Sequence, residues 1–177
     1  MYLQKFEVKN KTALVTGAGK GIGKASAIAL AEAGADLIIL SRTKSDLEKV
    51  KKEIIKLKRK CIIYDCDVSN FEELRSIFNQ ISKLDILVNN AGTNRPEYFT
   101  KINKEDMDYV VDLNLKAAFH VAQMGAKVMT KQKNRKSIGG SIINVSSQLG
   151  KVGAPKRSIY NMTKFGIEGL TRGMALD

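Results

Sequence analysis

Thr16-Gly17-Ala18-Gly19-Lys20-Gly21-Ile22-Gly23 is the stretch on which the reading of this chain turns. Before it, Thr12-Ala13-Leu14-Val15-Thr16 is a short uncharged run, the pattern of a buried strand. After it, residues 24–33 are rich in alanine and suit a helix. Gly34 then stands where a glycine commonly ends a helix. A glycine-rich turn between strand and helix brings the backbone close to whatever binds there. The helix start adds amide donors and the positive end of its dipole, which together suit a pyrophosphate. The spacing is Gly-x-x-x-Gly-x-Gly through Gly17, Gly21 and Gly23, rather than the commoner Gly-x-Gly-x-x-Gly.

Outward from this loop, strands and helices alternate. Residues 36–40 form a second apolar run. Residues 45–58 follow with Leu47, Val50, Ile54 and Leu57 at helical spacing. A third strand is expected at 61–64, and a helix to about residue 82 with Ser69 as N-cap and Glu72 completing a capping box. A fourth strand is expected at 85–88, then a long helix over about 104–130 and a basic loop at 131–136. A fifth strand at 141–145 and a final helix over about 158–176 complete the chain. Such alternation predicts an α/β domain of Rossmann type, a doubly wound parallel sheet in the order 3-2-1-4-5. Ligand binding is expected at the carboxyl ends of the strands, where the order reverses. No internal repeat or linker divides the 177 residues, so a single domain is expected.

Composition narrows the classes of function. Hydrophobic residues make up 44% and charged residues 27%, as in ordinary globular proteins. No apolar run is long enough for a membrane span. The first eleven residues lack the apolar core of a signal peptide, so a cytoplasmic location is expected. Cys61 and Cys66 flank the third strand without a nearby histidine, and the lone His120 falls in a helical stretch, so no metal site is read. The net charge of +12 comes from lysines spread along helices and the basic loop. They have few interleaved aromatics and no nucleic-acid motif, so a basic nucleic-acid-binding protein stands only as an alternative.

The end of the second strand reads Leu40-Ser41-Arg42-Thr43. NAD-selective sites place a carboxylate near this point, and none is present. Arg42 instead suits a 2′-phosphate, with Ser41 beside it and Lys20 as a second cation. The expected cofactor is therefore NADP(H) rather than NAD(H).

Tyr160 and Lys164 stand four residues apart in the final helix, on one face. A free phenol has a pKa near ~10, and a neighbouring ammonium lowers it. The pair therefore makes sense as an acid/base. Ser147, thirteen residues before Tyr160, follows the fifth strand and can donate to a substrate oxygen. Ser146 is the neighbouring alternative.

Taken together, these pieces resemble the short-chain dehydrogenase/reductase family over the whole chain. The matching segments are the 16–23 loop, Asp67-Val68, Asn89-Asn90-Ala91-Gly92, Asn114 within Leu113-Asn114-Leu115-Lys116, Ser147, and Tyr160 with Lys164. The resemblance implies an NADP(H)-dependent oxidoreductase interconverting a carbonyl and a secondary alcohol. Tyr160 would be its acid/base. Lys164 would lower the Tyr160 pKa and bind the nicotinamide ribose. Ser147 would hold the substrate oxygen, and Asn114 a water that links Lys164 to solvent. Asp67 and Val68 would meet the adenine, and Asn90, Ala91 and Gly92 would flank the cofactor. Within the family the segments look most like 3-oxoacyl-carrier-protein reductases and sugar dehydrogenases, which implies a 3-oxoacyl thioester or sugar substrate.

Members of the family run longer than this chain. The resemblance implies two further strands, a Pro-Gly segment and a substrate-binding loop past Asp177, so a C-terminal truncation is expected. The alternative is then a non-catalytic dinucleotide-binding fragment. The fifth strand is expected to leave an open edge that favours self-association. Homo-oligomers through the helices at 104–130 and 158–176 are also expected, with Gly166, Gly169 and Gly173 giving the last helix a thin face.

Overall fold

The computed structural model describes residues 6–132 and 139–177. Its five strands are β1 (Thr12–Thr16), β2 (Asp36–Ser41), β3 (Cys61–Asp65), β4 (Ile86–Asn89) and β5 (Ser141–Asn144). All neighbouring pairs are parallel, in the order β3-β2-β1-β4-β5. Helices α1 (Gly21–Glu32), α2 (Lys44–Lys56), α3 (Phe71–Asn79), α4 (Lys104–Val111), α5 (Ala118–Lys131) and α6 (Ser158–Met174) connect or follow the strands. Among the described residues no helix is long and apolar enough to cross a membrane.

Strand side chains alternate between two cores, as the pleat requires. Ala13, Val15, Leu37, Ile39 and Val88 pack with Ala27 and Ala31 of α1 and with Leu47, Val50 and Ile54 of α2. Leu14, Ile38, Leu40 and Leu87 point the other way, onto Leu74, Ile77 and Phe78 of α3 and Val121 and Met124 of α5. Both faces of the sheet are thus covered, which is why its strands read as continuous apolar runs. The alanines of α1 keep that helix thin against β1.

Several boundaries differ from the sequence reading, each for a local reason. Helix α1 opens at Gly21, three residues before the alanine-rich run, because the Lys24 N–H already donates to the Lys20 carbonyl (3.2 Å). The N-cap of α3 is Asn70, not Ser69: its side chain accepts from the Glu73 N–H, while the Ser69 N–H is taken by Asp67. That helix ends at Asn79, where the Gln80 and Ile81 N–H groups tighten onto Ile77 and Phe78. Strand β5 stops at Asn144 because the Val145 carbonyl accepts from Lys164 Nζ. The expected long helix over 104–130 carries a π-helical stretch at Asp112–Ala117 between α4 and α5. The final helix ends at Met174. Gly34, at φ +104°, lies just past the α1 C-cap as expected. Most of the basic loop expected at 131–136 lies outside the described residues.

Cys61 and Cys66 are free thiols, pushed up to about 11 and about 12 mainly by burial. His120 packs edge-on between Phe71 (4.8 Å) and Phe119 (5.6 Å).

Candidate active site

Five of the segments singled out in the sequence lie at the carboxyl end of a strand: the glycine loop after β1, Ser41-Arg42 at β2, Asp67-Val68 after β3, Asn90 to Gly92 after β4, Ser147 after β5; Asn114, Tyr160 and Lys164 lie within helices. Parallel strands put those five segments on one edge of the sheet. Connections leave in opposite directions from β1 and β4, which opens a crevice between them.

On the β1 side the wall is cross-braced. The fully buried Thr16 accepts, through Oγ1, from the N–H groups of Asn90 and Ala91, both at 3.0 Å. Asn90 Nδ2 returns to the carbonyls of Thr16 (3.0 Å) and Gly17 (3.4 Å). A Cβ on Gly17 would lie 2.9 Å from Asn90 Nδ2, and Gly17 adopts φ +64°. A Cβ on Gly23 would run into the Gly17 carbonyl oxygen and Asn90 Nδ2. Gly21 is different: at φ +56° it faces open space, so its requirement is conformational. Lys20 caps α1 with its backbone alone, its side chain accepting no bond from the first turn. Helix starts of this kind hold anions. Lys20 and Ile22 are exposed beside them. Gly17, Gly19 and Gly23 let the loop close tightly on its neighbours, and Gly21 leaves open space at the helix start, so the residues present fit a dinucleotide pyrophosphate there.

The next corner is at β2. Ser41 Oγ would be 2.9 Å from a Cβ on Gly19, so Gly19 lets the loop close on it. Arg42 Nη1 donates to the Tyr109 hydroxyl (2.9 Å) and lies 3.7 Å from Asp67 Oδ2. The phenol, then Asp67, hold the guanidinium above its ordinary pKa. Val68 is buried next to Asp67.

On the β5 side, Asn114 sits in the π-helical stretch, 2% exposed. Its Oδ1 accepts from the Thr93 N–H (2.8 Å). Its Nδ2 donates to the Thr93 carbonyl (2.9 Å) and Thr163 Oγ1 (3.2 Å). Thr163 Oγ1 in turn donates to the Tyr160 carbonyl (2.9 Å). A Cβ on Gly92 would press on Asn114 Oδ1 at 3.2 Å. One amide therefore ties the loop after β4 to the helix that bears Tyr160 and Lys164.

Lys164 is 6% exposed. Its Nζ donates to the Val145 carbonyl (2.7 Å) and lies 5.6 Å from the centroid of the Tyr160 ring. Burial lowers its pKa. The segment after β5 is fastened from below: Asn161 Nδ2 donates to the carbonyls of Leu149 (2.9 Å) and Val152 (2.6 Å). The two candidate serines part here. Ser146 Oγ is buried without a hydrogen-bond partner among the described residues, against the place where Gly150 lacks a side chain. Ser147 Oγ accepts from the Leu149 N–H (3.1 Å) and keeps its own proton to donate.

Thr16, Thr163, Asn161 and Tyr109 went unremarked in the sequence. Thr163 and Asn161 lie inside the Tyr160-Lys164 segment, where their spacing was available to be noticed. Tyr109 carried no signal, because its partner Arg42 is 67 residues away.

Residues 11–177 match the short chain dehydrogenase family. The 3-oxoacyl-[acyl-carrier-protein] reductase of Thermotoga maritima is 36% identical over 172 residues, covering 95% of this chain and 68% of that protein. A gluconate 5-dehydrogenase from Burkholderia cenocepacia, solved with NADP and tartrate, superposes with a TM-score of 0.90 at 30% identity, covering all of this chain and 69% of the other. A carveol dehydrogenase from Mycobacterium avium, solved with NAD, gives 0.86 at 29% identity, covering 96% and 66%. The chain thus spans about two thirds of the length of these proteins. On sequence and on fold, the chain belongs to the short chain dehydrogenase family of enzymes.

Proposed function

We propose that this chain is the cofactor-binding and proton-handling part of an NADP(H)-dependent oxidoreductase that interconverts a carbonyl and a secondary alcohol. The observation that carries the reading is the Lys164 ammonium, buried 5.6 Å from the Tyr160 ring on the helix that follows β5. The cradle of Gly17, Gly19, Lys20, Gly21, Ile22 and Gly23 would hold the pyrophosphate. Arg42, with Ser41 and Lys20, would take a 2′-phosphate, Asp67 and Val68 the adenine, and Asn90, Ala91 and Gly92 the inner face. Bound there, the nicotinamide ring supplies or accepts the hydride.

The protein's own part is the proton. Tyr160 protonates the carbonyl oxygen in reduction and takes the proton back in oxidation. Lys164, held by the Val145 carbonyl, would present its charge beside Tyr160 and bind the nicotinamide ribose. Ser147 donates to the substrate oxygen as charge develops on it. Asn114, through Thr163 and Thr93, holds the helix in register and would anchor a water that links Lys164 to solvent. A 3-oxoacyl thioester or a sugar is the substrate class that the similar proteins suggest.

Self-association is part of the same reading. Met107, Phe119, Met162 and Phe165 are exposed on α4, α5 and α6. Gly166 packs on Leu115 within the chain, but Gly169 and Gly173 face open space. Strand β5 ends the sheet with Ile143 48% exposed. Light scattering of the purified chain would reveal a dimer or larger species, and a monomer at high concentration would remove this part.

The reading is tested by fluorescence titration with NADPH and with NADH in parallel, followed by turnover with carbonyl substrates. Saturable binding that is tighter for NADPH, with turnover, is expected. Binding without turnover would favour a dinucleotide-binding fragment.

A further inference from the structure

We propose that Tyr109 is a positioning residue for cofactor choice: it keeps Arg42 out of a tight pair with Asp67, so that the guanidinium stays available to a 2′-phosphate. The proposal rests on the reading of the crevice as an NADP(H) site. Arg42 Nη1 is 2.9 Å from the Tyr109 oxygen, a hydrogen bond, but 3.7 Å from Asp67 Oδ2, beyond one. A guanidinium has five N–H donors, so one bond to a phenol leaves the others free. The Arg42 side chain is 56% exposed, accessible to a ligand in the crevice.

The chemistry of the two partners is unequal. A neutral hydroxyl orients a cation without cancelling its charge. A carboxylate in a bidentate pair would orient it and cancel the charge a phosphate needs. If the phenol is removed, nothing described here competes with Asp67 for the Nη1 nitrogen.

Tyr109 is itself a fixed point. It is half-buried and packs against the core beneath α4. The Arg95 guanidinium lies over its ring, 5.2 Å from the centroid, and Arg95 Nε is 3.7 Å from Asp106 Oδ1. A guanidinium held by such a group loses less rotamer freedom when a ligand arrives.

The test uses two probes that differ only in the 2′-phosphate, 2′,5′-ADP and 5′-AMP, titrated calorimetrically into the full chain. The wild type is expected to prefer 2′,5′-ADP, and Arg42→Ala to lose that preference. Tyr109→Phe is expected to lower the preference by about three- to tenfold, the range expected from ordering one long side chain. Its 5′-AMP affinity and Tm should stay unchanged. Adding Asp67→Asn to Tyr109→Phe should recover the part of the preference lost to the competing carboxylate, and no recovery at all overturns the competition between Tyr109 and Asp67. A Tyr109→Phe ratio equal to wild type, with Arg42→Ala still losing it, overturns the role of Tyr109 alone. A wild type without preference overturns the NADP(H) reading and the proposal together.

Discussion

The two sides of the crevice are built on different terms. On the β1 side, Thr16, Asn90 and the glycine loop hydrogen-bond one another, and the space left for a ligand is space where side chains are missing. On the β5 side, Asn114 makes three hydrogen bonds, but the two side chains proposed there for the proton and the substrate oxygen, Lys164 and Ser147, each make one, to the Val145 carbonyl and from the Leu149 N–H. The first is a mould in which substitution disturbs the fold. The second keeps a cation 6% exposed, an arrangement that stability alone does not favour. Variants of the two sides should therefore fail differently, in stability on the β1 side and in rate on the β5 side.

The largest expected effect tests the reactive side. Tyr160→Phe removes only the hydroxyl, and kcat/KM should fall by about 10²–10⁴-fold, the usual contribution of a positioned acid/base. Tm and the NADPH dissociation constant should hold. A matching fall in cofactor affinity would mean that the two sides are not separable.

Next in size is the mould. Gly23→Ala sets a methyl against the Gly17 carbonyl and Asn90, atoms that belong to the braced wall. A stability loss of about 2–3 kcal/mol in urea unfolding is expected, as for overpacking elsewhere. Gly21→Ala meets no atom and is strained only by its φ of +56°, so a smaller loss of about 1 kcal/mol is expected. Equal losses at the two positions would show that the brace between Thr16, Gly17 and Asn90 is not rigid.

The smallest effect has the opposite sign. Lys164→Met keeps the length of the side chain and removes the buried charge. Its unfolding free energy should rise by about 1 kcal/mol at neutral pH while activity is lost. Burial lowers the Lys164 pKa in the folded chain, so the unfolded chain binds the proton more tightly. Protonation therefore disfavours folding below the lowered pKa, and wild-type stability recovers as pH climbs from there toward ~10.5. The advantage of Lys164→Met should shrink over that interval. Urea melts at two pH values measure it, and a gap that widens with pH would contradict the burial argument.

Much of this was legible along the chain. The strand order followed from the alternation of apolar runs and helices. The strand-loop-helix around Gly17 to Gly23 followed from three glycines between a strand and a helix, and the shared face of Tyr160 and Lys164 from their four-residue spacing. Errors were local. Ser69 lost the capping role to Asn70, the next residue with the same ability, and the π-helical stretch left no mark in an apolar period that runs through it. The choice between Ser146 and Ser147 also stayed open, since adjacent residues differ in burial only once Gly150 and Leu149 are packed beside them.

Features set by near neighbours could be read along the chain: the period of each element, the glycines that permit a tight turn, and the four-residue spacing that puts Tyr160 and Lys164 on one face. Other features arise from groups far apart in the chain and exist only once it has folded. Lys164 owes its depressed pKa to the mass packed over it. Thr16 became the brace of the wall because β4 lies beside β1. Arg42 acquired Tyr109 and Asp67 as rival partners from two other segments of the crevice. Burial, and competition between partners for one donor, are properties of proximity in space, and no local pattern encodes them.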